Sequence, residues 1–218
     1  MDERLIETPR GPARVHLSRP AGGAPRGGLI LGHGAGGGVG APDLEAARAA
    51  ALTAGLTVAL VEQPYRVAGR RSPAPAPALD EAWTAVVADL GDGELRGLPI
   101  ITGGRSSGAR VACRTAAVTG AVAVLCLAFP LRPARRAGAT VPPADRLGEL
   151  DAVSVPVLVV QGRRDRFGMP PAAPARRVVE VAGDHGLKSD LPAVADAVSR
   201  WLEDVLEAAR RSAAASAP

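Results

Sequence analysis

Six short aliphatic runs, separated by stretches of helical spacing, constrain this chain more than any other feature. They are Gly28–Leu31, Leu56–Val61, Leu98–Thr102, Ala121–Leu127, Val157–Gln161 and Arg177–Val181. Most are solidly apolar, as strands covered on both faces must be. Their alternation with helical patterns predicts an α/β fold with a mostly parallel central sheet and helices on both faces. Ahead of them, Leu5–Thr8 and Ala13–Ser18 flank "PRGP" and suit an antiparallel edge hairpin. On its alternating strand His16 falls opposite Val15 and Leu17 and is expected to face solvent. Aromatic residues make up only 2% of the chain, so Val, Leu, Ile and Ala must fill the core.

The helices have legible starts and faces. Asp43 is expected to cap a helix running to Thr53, which Gly55 stops. Asp80 is expected to cap a second, with Trp83, Val86, Val87 and Leu90 on one face. A third follows "GGRSSG" to about Val118. The last begins near Asp190, tolerates Pro192 in its first turn and buries Val194, Val198, Trp201 and Val205. Two proline-rich segments, Gln63–Ala78 and Phe129–Pro143, read as loops beyond strand ends. At 218 residues the chain is expected to form one domain over residues 1–209, with a flexible tail over 210–218.

Charge and cysteine content exclude several classes of function. The net charge is +4 and Lys188 is the sole lysine, so the high pI reflects arginines scattered along the chain. Without an aromatic platform beside them, no nucleic-acid partner is expected. "MDERLIETPRG" has acids where a signal peptide needs bases, and no apolar run is long enough to span a membrane, so a cytoplasmic protein is expected. Cys113 and Cys126 fall in a helix and a strand as ordinary buried thiols. Three separated histidines and no carboxylate cluster predict no metal, and no cofactor is expected.

"LILGHGAGGGVGAP", Leu29 to Pro42, admits two readings. Gly32, Gly34 and Gly37 match the G-x-G-x-x-G spacing of a dinucleotide site, and Glu62 ends the next strand where a ribose-binding acid would sit. The alternative is a loop whose backbone amides receive a developing oxyanion. The bulk of His33 disfavours the tight dinucleotide turn. A second motif decides between them. Gly104-Arg105-Ser106-Ser107-Gly108 is a G-x-S-x-G match between an aliphatic strand and a helix, the setting of a nucleophile elbow. "VLVVQGRRDRFG" then places Asp165 just past a strand end, and "VVEVAGDHGLK" places His185 likewise. Serine, acid and histidine in that order form a triad: Ser106 attacks, His185 moves the proton, and Asp165 orients the imidazole. Ser107 is an alternative nucleophile only under a shifted alignment. Asp184 is too close in sequence to orient His185, and Asp151 precedes a strand at the wrong edge. The oxyanion donors are then the amides of Ala35 and Ser107. His33 is expected to brace its loop by hydrogen bonds.

With these motifs assembled, the sequence resembles small, lidless α/β-hydrolase-fold proteins related to dienelactone hydrolases. It is also similar to a testis-expressed protein and to the hydrolase-like domain of a histone acetyltransferase complex subunit. "HGAGGG", "EQPYRVAGRRSPAP", "GGRSSGARVA", "AFPLRP", "PVLVVQGRRDRFG" and "GDHGLK" carry the resemblance. Relatives commonly have methionine where this chain has Ser107. The resemblance implies the same roles for Ser106, Asp165, His185, Ala35 and Ser107, but delivers no substrate, and some relatives are non-catalytic scaffolds. The short, proline-broken "FGMPPAAPAR" suggests a trimmed helix after Asp165.

Together these features predict a serine hydrolase cleaving a carboxylic ester or thioester through an acyl-enzyme. The alternative is a catalytically silent scaffold on the same fold. His33, Gly34, Arg66, Phe129 and Arg132 are the candidate substrate contacts. If Arg66, Arg70, Arg71, Arg132, Arg135, Arg136, Arg163, Arg164 and Arg166 converge, the mouth would favour an anionic small molecule. The chain is expected to act as a monomer or homodimer, without nucleic acid or membrane.

Overall fold

The computed structural model describes residues 2–133 and 144–215. A hairpin of β1 (Asp2–Ile6) and β2 (Ala13–Ser18) leads into β3 (Gly27–Gly32), α1 (Pro42–Thr53) and β4 (Leu56–Glu62). There follow α2 (Pro64–Val67), α3 (Ala76–Asp92), β5 (Ile100–Arg105), α4 (Ser107–Thr119) and β6 (Ala123–Leu127). The chain ends with α5 (Leu147–Asp151), β7 (Val157–Gly162), β8 (Arg176–Val181) and α6 (Leu191–Ala215). All eight strands form one sheet in the order β1-β2-β4-β3-β5-β6-β7-β8. From β4 to β8 every pairing is parallel, whereas β1 and β2 join antiparallel at one side.

The period-two geometry of a strand sends successive side chains to opposite faces, and both faces here are covered. Leu29 and Leu31 of β3 join Leu44 and Ala47 of α1 and Val198, Trp201 and Leu202 of α6 in one cluster. Ile30, from the same strand, faces a second cluster with Trp83, Val86, Val87 and Leu90 of α3. α4 packs over β5 and β6, where Ala109, Ala112 and Cys113 meet Val124, Cys126 and Phe129. The order reverses at β3: β4 lies on one side of it and β5 on the other. Such a switch point opens a crevice at the carboxyl ends of the two strands. The loop after β3 and Ser106 after β5 both lie there.

Small residues make the close packing at this point feasible. A Cβ on Gly104 would come within 2.5 Å of the Gly32 carbonyl oxygen, and one on Gly108 within 2.4 Å of the same atom. Real Cβ atoms do not approach so closely, so β3, β5 and the first turn of α4 meet only because both positions are glycine.

Several local expectations are corrected. α1 starts at Pro42 with Ala41 as its N-cap, so Asp43 is a buried residue of the first turn rather than the cap. α3 starts at Ala76 with Pro77 in its first turn, where a missing N–H costs nothing. Asp80 is therefore inside the helix, where it takes a bidentate ion pair from Arg114 of α4, at 2.8 and 2.6 Å. Pro64 likewise opens α2 inside the segment read as a loop. His16 is buried, at 8% exposure, because β2 lies between β1 and β4 rather than at the sheet's edge. Its ring nitrogens face Glu3 at 3.1 Å and Glu62 at 3.8 Å. α6 begins with Asp190 Oδ1 accepting the Ala193 amide, and it continues past residue 209 to Ala215. No helix forms between Asp165 and β8, in line with the trimmed segment read there. Among the described residues, no helix is long and apolar enough to cross a membrane.

Candidate active site

Ser106 occupies the turn from β5 into α4 with φ 52° and ψ −105°, a conformation that costs a non-glycine residue about 1–3 kcal/mol. Its amide donates to the Leu127 carbonyl at 2.9 Å, which fixes the turn against β6. Among the described residues only three non-glycines have positive φ: Ser106, Ala128 and Leu187. Ala128 follows β6 and Leu187 lies in the turn after β8, so backbone strain gathers at one edge of the sheet.

Ser106, Asp165 and His185 come from three different loops and meet there. His185 Nε2 is 2.9 Å from Ser106 Oγ, and His185 Nδ1 is 2.8 Å from Asp165 Oδ2. These distances are consistent with the tautomer in which Nδ1–H donates to the carboxylate and Nε2 accepts the serine proton. The Asp165 side chain is fully buried, whereas that of His185 keeps 20% exposure toward solvent. Asp151 and Asp184 serve elsewhere. The first pairs with Arg176 at 2.9 Å, and the second accepts the Gly186 amide at 2.8 Å.

The loop after β3 is held by His33. Its Nδ1–H donates to the Gly34 carbonyl at 2.8 Å, and its Nε2 accepts the Gln63 amide at 3.2 Å. Burial lowers the ring's pKa, with the nearby Arg66 charge acting in the same direction. The bond from the Gln63 amide needs the neutral ring, because Nε2 must accept, whereas the Nδ1–H bond to Gly34 favours the charged form. Tyr65 adds a third tie, its hydroxyl donating to the Ala35 carbonyl at 3.1 Å. The Ala35 and Ser107 amides have no acceptor among the described hydrogen bonds, and Ser107 opens α4 where the helix dipole is positive.

Three residues that the sequence reading passed over, and one that it read as a helix cap, shape this edge. Gln161, at the end of β7, directs Nε2–H groups to Asp165 Oδ2 (2.8 Å) and to the carbonyls of Gly168 (2.9 Å) and Phe129 (3.0 Å). The Phe167 amide donates to Asp165 Oδ1 at 2.8 Å, and its ring meets that of His185 edge-on at 4.5 Å. Arg105, beside the serine, and the buried Asp43 complete the set, 3.0 Å apart. Gln161 was visible in the sequence as a polar residue ending an otherwise aliphatic run. Arg105 occupies the first variable position of G-x-S-x-G.

The other substrate candidates separate. Phe129 is fully buried in the core, so it contributes its carbonyl rather than its ring. The Arg132 amide donates to the Phe167 carbonyl at 2.7 Å, tying together the loops after β6 and β7. Arg164 and Arg166 line a cavity of about 530 Å³ with Arg105, His185 and Lys188. A second cavity, about 560 Å³, lies between Gly36–Gly40 and Lys188, with Arg105 common to both. Arg70 lines a separate cavity with Arg10 and Tyr65, and Arg163 pairs with Glu180 at 2.7 Å. Arg135 and Arg136 lie outside the described residues. The convergence of arginines is thus partial. A more apolar cavity of about 600 Å³, lined by Leu98, Pro99, Val205 and Leu206, lies at the opposite edge, away from this chemistry. Among the described residues no group of three His, Cys, Asp or Glu side chains could hold a metal ion.

A doubly wound, mostly parallel sheet with a strained serine at its switch point, and no lid domain among the described residues, is an α/β-hydrolase fold. A family model described as an alpha/beta hydrolase domain matches residues 25–192, and the chain belongs to that family. Among solved structures, it resembles an alpha-beta serine hydrolase homologue from Coxiella burnetii at 18% identity and TM-score 0.72, covering 92% of this chain and 97% of the other. Est1E from Butyrivibrio proteoclasticus is 16% identical with TM-score 0.77, covering 95% and 100%. A dienelactone hydrolase from Anabaena variabilis is 18% identical with TM-score 0.70, covering 93% and 97%. No curated protein sequence matches this chain.

Proposed function

We propose that the protein is a serine hydrolase that cleaves a carboxylic ester or thioester through an acyl-enzyme. The observation that carries this reading is the continuous hydrogen-bonded line from Ser106 Oγ through His185 to Asp165, at 2.9 and 2.8 Å. Ser106 Oγ attacks the substrate carbonyl while His185 Nε2 takes its proton. The tetrahedral oxyanion rests against the amides of Ala35 and Ser107. His185 then returns the proton to the leaving alcohol or thiol. A water deprotonated by the same nitrogen releases the acid and regenerates the serine. Asp165 holds the tautomer and stabilises the imidazolium between the steps. The similar structures, which include an alpha-beta serine hydrolase homologue and a dienelactone hydrolase, support the reading at the level of fold.

Arg164, Arg166 and Lys188 around the His185 cavity favour substrates bearing an anionic group. A fluorophosphonate probe tests the core of the proposal. Labelling of wild type that disappears in Ser106→Ala is the expected result, and folded wild type that stays unlabelled supports the scaffold alternative instead. A panel of neutral and carboxylate-bearing esters at several salt concentrations then tests the charge preference, with kcat/KM for the anionic esters expected to fall as salt rises.

A further inference from the structure

The side chain of Arg105 ties the turn that carries Ser106 to the His185 loop, to the loop after β3 and to α1. Its Nη2 donates to the His185 carbonyl at 3.0 Å. Its Nε lies 3.0 Å from Asp43 Oδ2, off the line of a full hydrogen bond but close enough for a strong ion pair. Its Nη1 packs against Gly34, where a Cβ would come within 2.8 Å of it. Asp43 has no exposed side-chain surface, and the Arg105 side chain keeps only 17%. A buried, paired guanidinium of this kind is an expensive thing to place in a fold, and hydrophobic residues of similar size often stabilise as well. Its directions suggest another use.

We infer that Arg105 is a positioning residue for His185. It acts as a strut from the strand that carries Ser106 to the backbone of the loop that carries the imidazole. The inference rests on the Ser106 reading above. His185 follows β8 on a short turn whose own ties are sparse: the Gly183 carbonyl accepts from Arg164, and the Leu187 amide donates to the Asp184 carbonyl. Asp165 restrains the ring from one side and the Phe167 edge from another. Neither restrains the backbone of residue 185 along the line to Ser106. Arg105 does, because it is the residue covalently preceding the serine. Asp43 fixes the direction of the fork by holding Nε, so that Nη2 points at the carbonyl. Geometry at this level matters, since a displacement of about 1 Å at a reacting group can cost about a hundredfold in rate.

The experiment separates this role from simple stabilisation. Arg105→Met alone would leave Asp43 buried and unpaired, so it is combined with Asp43→Asn, which removes both charges together. Full-length double variant, verified as folded by circular dichroism and assayed well below its Tm, is expected to react with a fluorophosphonate at least tenfold more slowly than wild type. The His185 Nδ1 proton, identified in the wild-type spectrum by its loss in His185→Ala, is expected to broaden. Arg105→Lys keeps a charge opposite Asp43 but cannot also reach the carbonyl, and is expected to keep Tm near wild type with a rate at least fivefold lower. If wild type labels at Ser106 while both variants label at its rate, the strut is overturned and the hydrolase reading stands. If folded wild type does not label, both readings fail together.

Discussion

Replacing Gln161 with glutamate exchanges an amide for a carboxyl of nearly the same shape and alters the site in a calculable way. In wild type the two Nε2 hydrogens serve three acceptors at 2.8–3.0 Å: Asp165 Oδ2 and the carbonyls of Gly168 and Phe129. A protonated carboxyl supplies one hydrogen, so at least one buried carbonyl loses its partner at about 1–3 kcal/mol. For a chain of this size that lowers Tm by about 2–12 °C. Once ionised, the new group adds a second carboxylate beside Asp165. Two like charges relaxed to about 4 Å repel by about 4 kcal/mol at an effective dielectric of 20. That corresponds to about three pK units. The folded-state pKa of the new group is therefore raised above its unfolded value of about 4.3. Its stability contribution is then fully present below about pH 4 and is lost as pH rises through the raised folded value, near 7. Most of that loss falls between pH 5 and pH 8, a further drop of about 6–12 °C relative to wild type. Gln161→Leu removes the same bonds without a charge, and its deficit should not change with pH. Thermal unfolding of the three proteins at both pH values tests the reasoning. If the Gln161→Glu deficit is the same at pH 5 and pH 8, Gln161 is not the neighbour of Asp165 that the geometry makes it.

Other predictions concern the loops. Burial lowers the pKa of His33, so the unfolded chain takes up a proton there first. Its contribution to stability is complete above the unfolded value of about 6.5 and is lost as pH falls through the depressed folded value; His33→Gln should flatten the acid slope of Tm between pH 7 and pH 5. Gly108→Ala places a Cβ 2.4 Å from the Gly32 carbonyl and should cost about 1–3 kcal/mol or more, with slower fluorophosphonate labelling, because β3 leads directly into the His33–Ala35 loop. Gly36→Ala meets no atom within 4 Å and should leave Tm unchanged. Phe167→Ala removes the ring that meets His185 edge-on at 4.5 Å. A loss of about 0.5–1.5 kcal/mol of positioning should slow labelling about two- to tenfold without lowering the yield at completion.

The elements most legible from sequence were those whose signal is carried by many residues at once. The aliphatic runs became β3 to β8, with boundaries shifted by at most three residues, because a strand buried on both faces cannot hide its composition. Ser106, Asp165 and His185 were also readable, since each sits where a strand ends. What failed was reasoning from single polar residues. Asp43 and Asp80 looked like caps because aspartate before an apolar helix usually is one. Here both carboxylates are committed to arginines from elsewhere in the chain, and proline at N1 or N2 begins each helix. His16 was misplaced because alternation shows which face a residue takes but not whether a neighbouring strand covers that face. Arg105 and Gln161 were missed for a related reason. Their partners are separated from them in sequence or are backbone carbonyls, and a carbonyl has no letter.

The scarcity of benzene rings has a practical side. The chain contains two phenylalanines and one tyrosine. Phe129 supplies a carbonyl to Gln161, Phe167 touches His185, and Tyr65 holds the Ala35 loop. The Phe167 and Tyr65 ring signals therefore originate at the working rim, whereas the Phe129 ring reports on the core beneath it. Ligand entry can thus be followed in unlabelled material through Phe167 and Tyr65, with the buried Phe129 ring as an internal reference.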